Sequence, residues 1–279
     1  MTCSAPQVFK SNLIFQTESS CLHRLHLAQN VGIDGDIIAL GSFPRLLYLN
    51  LSSTSVSGSL DVLRHASALK TLQFSFCTGL SGSLASLESL TSLEVLACHQ
   101  EPGSESNIFG ELRSLASLSC LDFLHIQSST LTGSLEDLSS LTKLTYLCLR
   151  DNHGMVTGDL ASLGQMALLK HLDLSEQIVL DLLHRNRIHG DIGVFSDHTE
   201  FNHINLEGLN VTGQPIALTG SPKLRYVNLV GTAVDGTSLE GEDAFRDALI
   251  NRHGSYRGNF LFASTDIPPT DVPSTESDY

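Results

Sequence analysis

This 279-residue chain contains twelve histidines, whose side chains can transfer protons or bind metal ions. His23 and His26 are three residues apart, and His171, Asp173 and His203 occupy matching places in two neighbouring segments. A zinc site needs three or four converging ligands of these types. Side chains on adjacent strands, however, project in parallel and do not converge. The sequence therefore predicts solvated histidines, with no metal and no other cofactor.

Cys148 is the best candidate for a nucleophile, because His125 and Arg150 lie close to it in the sequence pattern and cationic neighbours favour a thiolate. The chain has no GxSxG motif, no Walker A motif and no dinucleotide-binding glycine loop. No set of nucleophile, base and orienting group is recognisable. We therefore predict that the protein is not an enzyme and that Cys148 is exposed or covered by an interface.

The charge balance is acidic, with 16 Lys and Arg against 30 Asp and Glu and a net charge of −14. This balance argues against binding to nucleic acid or to anionic lipid. No segment is apolar over the length needed for membrane insertion, and the first 20 residues lack the features of a secretory signal. The six cysteines form no CxxC pair. We expect them to be unpaired, and the protein to be cytoplasmic or in another reducing intracellular compartment.

Two phrases recur along the chain and define its organisation. The first, such as "LTGSL" at 131–135, contains a glycine that recurs at intervals of 23 to 32 residues. The second, such as "LTYLCL" at 144–149, precedes each glycine phrase. Both are found nine times and stay in step.

Each phrase has a simple structural interpretation. The LxxLxL phrase ends in alternating apolar residues, which is typical of a short strand, and the glycine permits a tight turn. Between Leu135 and Leu147 every third residue is a leucine, a spacing that suits a 3₁₀-like segment with one apolar face. One turn cannot bury its own leucines, so successive turns must stack with their strands in parallel.

These phrases resemble the leucine-rich repeat family, and "LTGSL" is similar to its plant-type LTGxL subclass, found in receptor ectodomains and polygalacturonase inhibitors. The resemblance implies an α/β fold: a right-handed solenoid of about nine repeats with a parallel sheet on the concave face and 3₁₀ or irregular helical structure on the convex side. The chain departs from the family pattern in three respects. The proline of the glycine phrase is missing, cysteine caps are absent, and the recurrent asparagine remains only at Asn30 and Asn152. The missing caps disfavour a receptor ectodomain.

The ends of the chain indicate caps for the solenoid. The predicted units are an N-terminal cap at 1–21, repeats at 22–239, a capping helix with an extension at 240–263, and a disordered acidic, Pro-rich tail at 264–279. The helix is indicated at 238–254 by Phe245, Ala248 and Leu249 on one face. Two turns carry insertions, at 98–110 and 176–190.

The third position of each LxxLxL phrase points away from the core and forms a column rich in rings. From Phe123 onward, five consecutive turns present an aromatic or histidine ring. Such rings either stabilise neighbouring strands or form a binding strip, and these two functions are compatible. The predicted partner-binding residues on the concave face are Tyr48, Phe123, His125, Tyr146, Arg150, His171, Asp173, His203, Asn205, Glu207, Tyr226 and Asn228. An inserted loop adds His184, Arg185 and Arg187 as further contact residues.

The sequence thus predicts a non-catalytic module that binds another protein through its concave face, as an adaptor, a regulator or a peripheral subunit of an assembly. A second hypothesis is recognition of carbohydrate or of an extracellular ligand, as the resemblance to plant-type repeats implies. The third is a metal-binding or enzymatic protein, for which the residues offer little support.

Overall fold

The computed structural model describes residues 21–100, 106–152, 155–176, 187–235, 239–253 and 258–261. Its backbone forms two parallel sheets, one of ten strands and one of eight. Nine strands of the first sheet come from the LxxLxL phrases, as the sequence predicts, and the tenth lies after the last repeat. The first sheet contains β1 (Arg24–His26), β3 (Tyr48–Asn50), β5 (Thr71–Gln73), β7 (Val95–Cys98), β9 (Phe123–Ile126), β11 (Tyr146–Cys148), β13 (His171–Asp173), β15 (His203–Asn205), β17 (Tyr226–Asn228) and β18 (Asn259–Leu261).

The second sheet comes from the glycine phrases, for which the sequence predicts only turns. It contains β2 (Asp34–Asp36), β4 (Ser55–Ser59), β6 (Gly79–Ser83), β8 (Asn107–Glu111), β10 (Thr130–Ser134), β12 (Met155–Asp159), β14 (Arg187–Asp191) and β16 (Asn210–Thr212). Each inner strand pairs in parallel with the corresponding strands of the turns before and after it, and the edge strands β2 and β16 pair on one side. The turns therefore stack along both of their extended segments.

Short 3₁₀ helices follow the strands of the second sheet and complete each turn. They lie at Ile37–Ser42, Leu60–Leu63, Leu84–Leu87, Leu112–Leu115, Leu135–Leu138, Leu160–Leu163, Ile192–Phe195 and Pro215–Gly220. Most begin at an Asp or Ser whose side chain accepts a hydrogen bond from a backbone N–H of the first turn. The leucines from Leu135 to Leu147 at every third position are all fully buried, which confirms the predicted inner apolar wall.

These features define a leucine-rich-repeat solenoid with the ten-stranded sheet on its concave face. The hydrophobic core is one continuous cluster of leucine, isoleucine, valine and phenylalanine side chains. The middle residue of each concave strand, such as Leu147 in β11, points into this core. The residues on either side of it consequently face away from the core.

Gly158 shows why each turn needs a glycine at this place. Its φ of +117° lies in the region that favours glycine, and a Cβ atom there would lie 2.8 Å from the backbone nitrogen of Leu135 in the preceding turn. A larger residue would force adjacent turns apart. The glycine phrase is therefore set by turn-to-turn spacing as well as by local backbone geometry.

The turn after each concave strand is closed by side-chain hydrogen bonds to the backbone. Asn152 is fully buried; its Nδ2 donates to the carbonyls of Leu149 and Ile126, both at 2.8 Å, and its Oδ1 accepts from the N–H of Ser129 at 3.1 Å. The residues that replace asparagine elsewhere keep part of this pattern. Thr54 and Thr232 each donate to the leucine carbonyl three residues earlier, at 2.6 and 2.7 Å.

A helix and an additional strand cover the C-terminal end of the core. Helix α1 (Leu239–His253) is close to the segment at 238–254 where the sequence predicts one. Phe245 and Leu249 are buried, and Phe245 packs edge-on against Phe260 of β18, with 4.7 Å between ring centroids. No helix among the described residues is long and apolar enough to cross a bilayer.

The cysteines are not all unpaired, contrary to the sequence prediction. Cys21 is disulfide-bonded, and its partner lies outside the described residues, as do nearly all of the predicted N-terminal cap and the whole predicted tail. Cys77, Cys98, Cys120 and Cys148 are free. Because disulfides are typical of oxidising compartments, cysteine usage no longer supports a reducing location.

Replacing Asn152 by alanine would leave two buried carbonyls and one N–H without these partners. Since each of these three groups costs about 1–3 kcal/mol when left unsatisfied, we expect Asn152→Ala to lower the free energy of unfolding by at least about 3 kcal/mol in urea titrations. The matched control is Asn30→Ala, the same substitution at the same repeat position but exposed. The control should cost less than about 1 kcal/mol, and equal losses in the two variants would contradict the argument.

Candidate partner-binding surface

Five stacked rings cross the concave sheet from β9 to β17, and we call them the ring ladder: Phe123, Tyr146, His171, His203 and Tyr226. Centroid separations between successive rings are 4.2, 4.1, 4.0 and 4.4 Å, with interplanar angles of 8–17°. The strand register places them directly opposite one another. Each ring is half-buried by its neighbours, so only part of each is available to a partner.

The stacking itself stabilises the sheet. Aromatic pairs in offset or stacked contact contribute about 0.5–1.5 kcal/mol beyond the area that they bury, and the ladder has four such contacts. The strand-stabilising function considered from the sequence therefore has a physical basis in the structure. The rings nevertheless remain partly exposed.

Tyr48 belongs to the same column but lies apart from the ring ladder. Thr71 and Val95 occupy the equivalent positions on β5 and β7, so no ring connects Tyr48 to Phe123. Its ring and hydroxyl contact β1, where the guanidinium of Arg24 lies 4.5 Å from the ring centroid and His26 Nδ1 lies 3.2 Å from the hydroxyl, and the hydroxyl also donates to Gln73 Oε1 of β5 at 3.5 Å.

The fifth positions of the phrases carry polar side chains that are mostly buried. Asp173 Oδ1 accepts hydrogen bonds from the backbone N–H of Ser175 at 3.0 Å and from its hydroxyl at 2.6 Å. Asn205 Nδ2 donates to Asp173 Oδ2 at 3.3 Å, and Asn228 Nδ2 donates to Glu207 Oε2 at 2.8 Å. These side chains bond chiefly to one another, so their first function is to hold the concave face together.

Arg150 places a positive charge beside this network. Its Nε donates to Asp151 Oδ2 at 3.0 Å. Burial disfavours the guanidinium charge, but the carboxylates of Asp173 and Asp151 outweigh it and raise the pKa of Arg150. Burial raises the pKa of Asp173 in spite of hydrogen bonds from Ser175 and the nearby arginine. The centre of the face is thus a mixed-charge patch beside the ring ladder.

His99 is a member of this surface that the sequence analysis missed. Its ring stacks on His125 at 4.3 Å and 10°, it meets Phe76 edge-on at 4.7 Å, and its Nδ1 lies 2.8 Å from the hydroxyl oxygen of Ser75. His125 in turn approaches Tyr146 at 5.7 Å. His99 follows the phrase "LEVLAC" at the position that Arg150 occupies in its own turn, but it falls inside the segment assigned to an insertion.

Cys148 does not have the surroundings of a reactive thiolate. Its side chain is buried, and burial raises its pKa well above the usual value for a thiol, with further repulsion from the Asp173 carboxylate. The thiol form therefore predominates at neutral pH. The sequence prediction that Cys148 is exposed or covered by an interface is wrong, because the chain itself covers this side chain.

The histidine and carboxylate donors on β13 and β15 are closer together than the sequence suggests. One ligand atom each from His171, Asp173 and His203 lies within 4.8 Å of the others. The imidazole planes are nevertheless nearly parallel, at 12°, as expected for neighbours on adjacent strands.

Of the three basic residues assigned to the inserted loop, the structure describes only Arg187. His184 and Arg185 lie outside the described residues. Arg187 is exposed and begins β14 of the second sheet, so it is a strand residue and not part of a loop. The concave face and Arg187 therefore belong to separate surfaces.

No protein-family profile and no curated protein matches the chain, but solved structures resemble it. The PEPR1–AtPEP1 complex is 24% identical with a TM-score of 0.63, over 80% of this chain and 30% of that one. The ectodomain of the Arabidopsis receptor kinase HAESA, with an N-terminally extended IDA peptide hormone, is 19% identical with a TM-score of 0.66, over 92% and 41%. A plant ice-binding protein is 17% identical with a TM-score of 0.59, over 81% and 69%. The chain spans less than half of either receptor structure, and these similarities establish the leucine-rich-repeat fold.

The stacked pair His99 and His125 predicts acid sensitivity. Burial lowers the pKa of His99 to about 4, and burial together with the neighbouring His99 imidazole lowers that of His125 to about 4. Between pH 6.5 and about 4 the unfolded chain therefore binds more protons at these residues than the folded chain. The free energy of unfolding should decrease as the pH is lowered through this window, by at most about 1.4 kcal/mol per pH unit for each histidine.

Urea unfolding measured at several pH values checks this expectation. His125→Gln should make the dependence between pH 6.5 and 4 less steep. The exposed His65 offers the matched control, and His65→Gln should leave the steepness as in the wild type. An unchanged slope in His125→Gln would show that this pair does not control acid stability.

Proposed function

We propose that the protein is a non-catalytic module that binds another protein or a peptide through its concave face, with the ring ladder as the anchor. The observation that supports this proposal is the continuous column of half-buried rings on the side of the sheet opposite the core. Partly covered rings combine a large contact area with little side-chain freedom to lose, which makes them effective interface anchors. A rigid sheet adds to this, because little backbone must be ordered on docking.

The residues around the ladder suit a protein surface as the target. Arg150, Glu207 and Asn228 provide donors and acceptors of both signs beside the rings, and the face has too few cations for a nucleic-acid groove. Within this proposal, Tyr146, His171, His203 and Tyr226 form the centre. Arg150, Asp173 and Glu207 set the register of the partner.

A second candidate is recognition of an extracellular ligand. It is favoured by the disulfide at Cys21 and by the receptor ectodomains of the same fold, whose complexes contain AtPEP1 or an IDA peptide hormone. Under this candidate the chain would bind its ligand through the same concave face, in an oxidising environment. Secretion of the full-length natural product, checked by fractionation of the source cells, distinguishes it from an intracellular adaptor.

The double variant Tyr146→Ala, Tyr226→Ala tests the proposed anchor. Immobilised wild-type protein should retain a partner from an extract of the source cells, and the double variant should lose it. With the purified partner, calorimetry should show binding at least about 30-fold weaker, since a hot-spot ring contributes about 2 kcal/mol or more.

The control is Phe109→Ala, which removes an exposed ring from the second sheet and should bind as the wild type does. Circular dichroism must show that all three proteins are folded. A folded double variant with unchanged partner affinity would exclude the ring ladder as the binding site.

A further inference from the structure

His203 has a ring nitrogen that lacks a hydrogen-bond partner. Its Nε2 is inaccessible to solvent and makes no hydrogen bond within the described part of the chain. His99 and His125 of the same face differ, since His99 is bonded to Ser75 and His125 to Gln127; the only other such atom among the described residues is Nε2 of His198, away from this face. Leaving a buried polar atom without a hydrogen bond costs free energy. Because this nitrogen lies beside the buried carboxylate of Asp173, we infer that a ligand binds here.

We propose that His171, Asp173 and His203 bind one divalent transition-metal ion, for which Zn²⁺ is the best match. One donor atom from each residue lies within 4.8 Å of the others. Two imidazoles and one carboxylate are three protein ligands, which leave the fourth position of a tetrahedral ion for water or another ligand. The argument for this site does not rest on the proposed partner binding, although the site shares His171 and His203 with the ring ladder.

The carboxylate of Asp173 already has supporting hydrogen bonds. Asp173 is oriented by Ser175 and Asn205, an arrangement of supporting hydrogen bonds that is typical of carboxylate ligands.

Metal binding must reorganise the ring stack. Zinc-bound nitrogens and oxygens lie about 2.0–2.2 Å from the ion, hence about 3.4 Å from one another in a tetrahedron. The stacked imidazoles have nearly parallel planes, and their lone pairs lie in those planes, so at least one ring must rotate about χ2 to face the ion. That torsion has a broad energy minimum. An ion would therefore break the ring ladder between His171 and His203.

The charged side chains around the site both favour and oppose the binding of a cation. Asp173 attracts a cation, whereas Arg150 opposes it electrostatically. The guanidinium is itself engaged by Asp151 at 3.0 Å, which offsets part of this repulsion. The balance leaves a site carrying one net negative ligand charge, as in zinc sites that use two histidines and one carboxylate.

Titration of the tag-free, chelator-treated full chain tests the site. Co²⁺ binding is followed by visible absorption and Zn²⁺ binding by calorimetry. We expect one saturable site per chain, weakened more than about tenfold in His203→Gln and in Asp173→Asn. The matched control is His125→Gln, which alters a stacked histidine of the same face outside the ligand set and should keep the wild-type affinity.

A second measurement needs no variant and covers the case in which a substitution prevents folding. Zn²⁺ added to the wild type should shift the imidazole NMR signals of His171 and His203 first and should leave that of His65 unchanged. Absence of saturable binding, wild-type affinity in both folded ligand variants, or shifts confined to other histidines would overturn the proposal. Because no partner protein is present in these assays, their outcome is independent of the proposed partner binding.

Discussion

One constraint governs this molecule: a turn of about two dozen residues cannot bury its own leucines. Each turn presents its apolar side chains to the turns before and after it, and the core exists only as a stack. The glycine phrase, the buried Asn152 and the 3₁₀ helices all serve this stacking, because each allows backbones of adjacent turns to approach closely. The two parallel sheets are its direct result.

The same stacking of turns also produces the ring ladder on the concave face. Equivalent positions of successive turns are brought to strand spacing, so a ring at the third position of five turns becomes a continuous ladder. The contacts between successive rings both stabilise these residues by stacking and bury them. That is why imidazoles which would be solvated on an isolated strand have lowered pKa values here.

The concave face also shows where inference from a repeat pattern stops. The third-position column was predictable because its members occupy one place in each phrase. His99 was not, because an insertion begins beside it and conceals its repeat position. The second sheet was likewise missed, since a glycine phrase of the form xTGSL has no strong strand signal of its own and becomes a strand only when its neighbours pair with it. The Cys21 disulfide could not be derived from spacing, which contains no recognisable cysteine pair.

By itself, the sequence determined the number of turns, the identity of the inward leucines and the third-position column of rings, because these depend on spacing within a turn. The burial of Asp173, the orphaned Nε2 of His203 and the proximity of their donor atoms were decided by the tertiary structure. Those properties depend on strand register and on the distance between turns more than 20 residues apart. Cooperative stacking sets such distances, and a local pattern does not encode them.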